Sequence, residues 1–227
     1  AEGPKGRDRL FRVLLHLVGD GDEDQDWEEW FTAAGWIFRT TPVLATPGNH
    51  EYYDIAHHED DLTWFWPVQF AFPKNGPAGL EEEAWYLDCL GARIISLNSE
   101  EALDSQAKWL ADVLEAASDR WTIVTFHRPV YSSGKDRDNP EIRTAWKPVL
   151  EAHGADLVLM GHDHTYARTA RLLDGEAIPK GPKGVVYLNS VSGPKQYPFQ
   201  TSHGGLFKRT AEATQLYHVV EVRDDRL

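Results

Sequence analysis

Short apolar runs rich in β-branched residues alternate along the chain with stretches of helical period. That pattern is the signature of buried strands separated by amphipathic helices. Strands are expected at Phe11 to Val18, Pro42 to Thr46, Ala84 to Leu90, Ala92 to Asn98, Trp121 to Phe126, Asp156 to Met160, Gly184 to Asn189 and Leu216 to Val222. Gly91 joins two of them and predicts a hairpin between Trp85–Leu90 and Arg93–Leu97. One helix is predicted from about Asp104 to Ala117, where Leu103, Ala107, Leu110, Val113 and Leu114 form a single apolar stripe and Asp104 or Ser105 is available as N-cap. A second is expected over Gln25 to Phe38 with Trp27, Trp30, Phe31 and Ala34 as its buried side, and a third over Pro140 to His153. Trp64 to Pro73, with aromatics, prolines and no clean period, reads as a packed loop. The class is α/β.

Composition narrows the picture. A chain of 227 residues, 41% hydrophobic and 26% charged, suits one soluble domain, taken as residues 1–227. No apolar run reaches the roughly 18 residues of a membrane-spanning helix, and Ala1 to Arg9 lack the apolar core of a signal peptide, so no membrane partner is expected. A single cysteine, Cys89, excludes a disulfide framework and a thiolate metal site; any metal must be held by His, Asn and carboxylate groups. The net charge of −13 argues against binding along a nucleic-acid backbone. A phosphorylated ligand would need a locally positive site, which bound metal cations supply.

Candidate chemistry collects at the ends of predicted strands. Val43 to Thr46 leads into Pro47-Gly48-Asn49-His50-Glu51, Ile123 to Phe126 into His127-Arg128-Pro129, and Leu157 to Met160 into Gly161-His162-Asp163-His164. Phe11 to Val18 leads into Gly19-Asp20. In open α/β sheets, ligands bind beyond the carboxyl ends of the strands, so these loops are expected to converge. Imidazole, carboxylate and amide oxygen together suit Zn, Mn or Fe. His162 and His164, read as an i, i+2 pair on extended backbone, would project both rings to one side. Two such metals clamp a phosphoryl group and activate water, so no serine or cysteine nucleophile is required.

The ordered set Gly-Asp, Gly-Asn-His-Glu, a lone His after a strand, and Gly-His-x-His resembles the calcineurin-like metallophosphoesterases. Phe126-His127-Arg128-Pro129-Val130-Tyr131-Ser132-Ser133, Gly161 to Arg168 and Ser190-Val191-Ser192-Gly193-Pro194-Lys195 are similar to bacterial relatives of purple acid phosphatases. The resemblance implies a four-layer αββα sandwich with two mixed β-sheets, and a hydrolase of phosphate esters, foremost monoesters. It implies a binuclear centre of two divalent or trivalent transition-metal ions, Fe, Zn or Mn, and a small phosphorylated substrate. Asp20 resembles the carboxylate bridging both metals; Asn49, His127 and His162 resemble the other ligands of one metal, and His164 a ligand of the second. His50 resembles the histidine that contacts phosphate and protonates the leaving group, with Glu51 orienting it. Related phosphatases are often exported, which makes an extracytoplasmic location consistent with the resemblance.

The chain also departs from the family pattern. The family's first strand and its Asp motif have no counterpart in the 18 residues before Gly19, so the metal served by His164 is expected to lack a ligand unless a segment upstream of this sequence carries it or Asp22 or Glu23 replaces it. Glu23 stands where purple acid phosphatases carry the tyrosine that gives their colour. Asp22 rivals Asp20 as the bridging residue. His16 reads as a strand histidine, His57 and His58 as part of a solvated acidic face, and His203 as a loop residue able to approach the substrate. Two other activities remain open: a phosphodiesterase or nucleotide hydrolase, and a catalytically impaired domain that binds metal and phosphate.

Overall fold

Two sheets lie face to face in the computed structural model, which describes residues 12–15, 17–52, 61–179, 184–200, 202–224 and 226–227. His16, His57 and His58 lie outside the described residues. In chain order the elements are β1 (Arg12–Leu15), α1 (Asp24–Ala34), α2 (Ile37–Thr40), β2 (Val43–Thr46), α3 (Trp66–Gln69), β3 (Trp85–Cys89), β4 (Ala92–Ser96), α4 (Leu103–Glu115), β5 (Trp121–Thr125), α5 (Pro140–Ala152), β6 (Leu157–Met160), β7 (Tyr166–Leu173), β8 (Glu176–Ala177), β9 (Val185–Asn189) and β10 (Phe207–Ala211). β1 and β2 form a parallel pair. The eight-stranded sheet is mixed, in the order β10-β7-β9-β6-β5-β4-β3, with β8 on β7. Its centre, β4-β5-β6-β9, is parallel, and β3, β7 and β10 run antiparallel to their neighbours.

Alternation along single strands sets the layers. In β4, Ile94 packs with Leu44 of β2 and Trp85, whereas Ile95 joins Leu110 and Leu114 of α4 and Trp146 and Leu150 of α5. In β2, Leu44 faces the large sheet, and its neighbour Ala45 packs with Trp27 of α1 and with Trp66 and Phe70. The order is therefore helices, small sheet, large sheet, helices, as expected of the αββα sandwich. Each large side chain so buried contributes roughly 1.5–3 kcal/mol, and a one-residue slip of β4 would exchange its two faces.

Local chemistry explains where the elements stop. The β3–β4 hairpin turns through Leu90 (φ 52°) and Gly91 (φ 82°), the left-handed pair of a two-residue turn. α1 ends at Gly35 (φ 52°), so the helix expected to reach Phe38 is broken there. Of its predicted buried side, Trp27 alone is fully buried and Phe31 is 37% exposed. α4 starts after left-handed Ala102 with no side-chain cap; Asp104 sits in its first turn instead, and Gln106 bonds the Asn98 backbone. The loop over Trp64 to Pro73 contains α3. Leu216 to Val222 is not a strand: Tyr217 and Val219 are 85% and 76% exposed, and the segment forms no ladder, with the Leu216 amide donating to the Val191 carbonyl.

Candidate metal centre

The parallel ladder between β5 and β6 continues into the loops that follow them. Phe126 N–H donates to the Leu159 carbonyl at 3.2 Å, and Gly161 N–H donates to the His127 carbonyl at 3.0 Å, which sets His127 and His162 side by side. Asn49 approaches from β2, whose last residue, Thr46, meets Ser96 of β4 hydroxyl to hydroxyl at 2.9 Å. His127 Nε2 lies 2.8 Å from Asn49 Oδ1, and His162 Nδ1 lies 3.1 Å from the same oxygen and 2.9 Å from His127 Nε2. Neighbouring ligand atoms of a six-coordinate ion with bonds of about 2.1 Å stand roughly 3 Å apart, so this trio has the spacing of one face of such a site. Among the described residues no three His, Cys, Asp or Glu side chains stand close enough to hold a metal ion; the trio depends on the Asn49 amide oxygen.

The loop bearing Asn49 is tied to the loop bearing Asp20 by Glu51. Its fully buried carboxylate accepts the amides of Leu17 (2.8 Å) and Val18 (3.3 Å) on Oε1 and of Gly48 (2.7 Å) on Oε2. Burial pushes the Glu51 carboxyl up to about 7, against these amides. These contacts of the Glu51 carboxylate are thus with backbone amides. His50 Nδ1 lies 2.5 Å from the Gly19 carbonyl. An Nδ1–H donated there leaves Nε2 for other chemistry.

Asp20 is half-buried, and its Oδ1 accepts the Asp22 amide at 3.1 Å. The turn around it is fixed by Asp26, whose Oδ2 accepts the amides of Gly19 (2.9 Å) and Asp20 (2.8 Å). Asp22 and Glu23 are both exposed.

His162 and His164 do not sit on extended backbone as expected. Both are left-handed, at φ 68° and 50°, a conformation uncommon outside glycine, and their rings take different partners. His164 Nδ1 lies 3.0 Å from the Lys195 carbonyl, so an Nδ1–H donated there leaves the Nε2 lone pair to bind a metal. Burial holds the His164 pKa below the usual imidazole range, as do the charges of Lys195, Arg137 and His50, against the Lys195 hydrogen bond. Neutral imidazole is the form a metal requires.

Residues 9–166 match the calcineurin-like phosphoesterase family. The chain belongs to that family. It is 32% identical to purple acid phosphatase 18 of Arabidopsis thaliana over 62% of this chain and 34% of that protein. It is 28% identical to purple acid phosphatase 15 of the same plant over 70% of this chain and 31% of that protein. Its fold resembles that of a purple acid phosphatase from yellow lupin (Lupinus luteus) seeds, with a TM-score of 0.64 and 19% identity over 91% of this chain and 39% of that one. The chain thus spans about a third of the length of the curated relatives it matches.

Two further groups support the centre of this calcineurin-like phosphoesterase, and sequence reasoning passed over both. Asp163, read only as the spacer between two histidines, is fully buried; its Oδ2 accepts the amides of Ser133 (2.6 Å) and Gly134 (3.1 Å), and Oδ1 lies 3.2 Å from Arg137 Nε. Arg137 in turn contacts His162 Nε2 through its guanidinium. Arg128, next to His127, grips Glu100 with bonds of 2.7–3.0 Å and donates its amide to Ser99 Oγ, which pins the loop after β5. The only signal available in sequence was a charged residue adjoining each motif histidine. His203 sits elsewhere, 3.5 Å from Asp138 and edge-on to Tyr131. No helix among the described residues is long and apolar enough to cross a membrane.

Proposed function

We propose that this chain catalyses metal-dependent hydrolysis of phosphate esters, with small phosphomonoesters as the preferred class. The observation that carries the reading is the convergence of Asn49, His127 and His162 beyond three strand ends, with donor atoms 2.8–3.1 Å apart. Asn49, His127 and His162 would hold one ion and His164 a second, with Asp20 bridging; Fe, Zn and Mn all suit these ligands. Such ions supply Lewis-acid polarisation of the phosphoryl oxygens and acidify the attacking water. The protein's own groups do the rest. His50, fixed through the Gly19 carbonyl, delivers a proton from Nε2 to the leaving-group oxygen. Glu51 keeps the Asp20 and Asn49 loops in register through their backbone amides. A second reading, in which one metal and a phosphate are held without turnover, rests on the second ion having only His164 and the bridging Asp20 as ligands assigned in this chain. An extracytoplasmic location remains part of the proposal on the strength of the family resemblance.

Metal content per chain, measured on the same sample as aryl phosphate hydrolysis, tests the two readings. Two transition-metal equivalents with turnover that vanishes in Asn49→Ala and His127→Ala support the hydrolase. One equivalent without turnover supports the binding domain. Undiminished turnover in either variant overturns both site assignments.

A further inference from the structure

Ser133 holds the residues on both sides of His164. Its amide donates to Asp163 Oδ2 at 2.6 Å, and its hydroxyl oxygen lies 2.6 Å from Thr165 Oγ1. The same oxygen accepts from Asn189 Nδ2 at 2.7 Å, which leaves the Ser133 proton for Thr165. Asn189 is the last residue of β9 and is fixed by its pairing with Met160 of β6 and Ala167 of β7. Ser133 is fixed further through its carbonyl, which accepts the Gln200 amide at 2.9 Å. Ser133, Asp163, Thr165 and Asn189 are 0–1% exposed, so water does not compete for these bonds. The left-handed backbone of His164 (φ 50°) is sterically unfavourable for a residue with a Cβ and persists only where its surroundings impose it.

We propose that Ser133 is the positioning residue of His164: with its hydroxyl directed by Asn189, it clamps Asp163 and Thr165 and so fixes the turn that presents the His164 ring. Its bearing on metal binding rests on the reading above, in which His164 serves the second ion. The two arms of the clamp serve different groups. The amide arm does not depend on the Ser133 side chain, and Asp163 is also held by the Gly134 amide and by Arg137, so His162 and its trio with Asn49 and His127 keep their support without the hydroxyl. The hydroxyl arm reaches Thr165, immediately after His164. Its loss therefore loosens His164 and spares the trio. A network that does no more than satisfy buried polar groups would affect both ions alike.

Titration of the metal-stripped protein with cobalt(II), followed by its visible absorption, tests the clamp without any need for turnover. The unaltered protein is expected to take up two equivalents in separate steps. Thr165→Val keeps the size of the side chain and removes its hydroxyl; it should weaken the second equivalent about tenfold and leave the first within about twofold, and Ser133→Ala should do the same from the other end of the bond. Thr165→Ser, which retains the hydroxyl, should bind both equivalents as the unaltered protein does. Equal weakening of the two equivalents, or an undisturbed second equivalent in Thr165→Val, overturns the proposal. If the unaltered protein takes up a single equivalent, the two-ion reading fails, and nitrogen NMR of the metal-free His164 ring decides the clamp. The ring should hold one tautomer, with Nδ1–H donated to the Lys195 carbonyl, in the unaltered protein and in Thr165→Ser, and a mixture of tautomers in Thr165→Val. The same tautomer in all three proteins overturns the proposal.

Discussion

The backbone of Gly48 lies directly against the imidazole of His127: a Cβ on Gly48 would stand 2.8 Å from the ring's Cγ and Nδ1. His127 is fully buried, so the ring has nowhere to retreat without leaving Asn49 and His162. Gly48→Ala is therefore expected to push His127 out of the trio. A shift of about 1 Å at a reacting centre costs on the order of 100-fold in rate. Elemental analysis should show metal lost together with activity. Full metal loading in a folded Gly48→Ala protein would refute the packing argument.

Glu51 makes a different prediction, because its contacts are with backbone. Glu51→Ala leaves the amides of Leu17, Val18 and Gly48 buried without their acceptor. At about 1–3 kcal/mol for each such group, the loss is at least about 3 kcal/mol. For a chain of this size the melting temperature should drop by roughly 6–12 °C. Glu51→Gln keeps one acceptor oxygen and should lose less. A melting curve unchanged in Glu51→Ala would return Glu51 to a purely catalytic role.

The sandwich was legible in the sequence because its central strands are apolar on both faces: Ile94 and Ile95 in β4, or Ile123 and Val124 in β5, are buried whichever way they point. The edges were not. β10 reads Phe-Lys-Arg-Thr-Ala, largely polar, and was passed over, whereas Leu216 to Val222 has strand composition but no strand partner. β7 and β8 are joined by Asp174-Gly175, a turn pair whose positive φ angles mark a hairpin. At the site, the identities of Asn49, His127 and His162 could be read from motif order. The left-handed turn at His162 and His164 could not, since Asp163 between them is held by the amides of Ser133 and Gly134, about 30 residues away in the chain.

If His50 is the proton donor, its removal must hurt poor leaving groups most. His50→Gln should keep its metal and lose about 100-fold or more in kcat on an alkyl phosphate. The loss on p-nitrophenyl phosphate, whose leaving group needs little protonation, should be much smaller. Equal losses on both substrates would show that His50 binds phosphate without donating a proton.

Just beyond the Asn49–Glu51 loop, Tyr52 joins two carboxylates. Its hydroxyl donates to Glu101 Oε1 at 2.6 Å and lies 3.2 Å from Glu83 Oε2, which also accepts from Asn98 Nδ2 at 2.8 Å; Asn98 in turn contacts the Tyr52 hydroxyl. Burial, reinforced by the charge of Glu101, pushes Glu83 up to about 7 against the bonds from Asn98 and Tyr52. The folded chain therefore holds a proton on Glu83 that the unfolded chain, with an ordinary value of 4.5, releases earlier. Protonated Glu83 supports the fold fully below that ordinary value, and the contribution is lost as pH rises through about 7. Urea unfolding at a series of pH values should show stability declining across this window, with a shallower decline in Glu83→Gln, which is neutral throughout. Some slope should persist, because Glu51 is also raised to about 7. Coincident profiles for the two proteins would mean that Glu83 is already ionised in the folded state and that the Tyr52 cluster carries no shared proton.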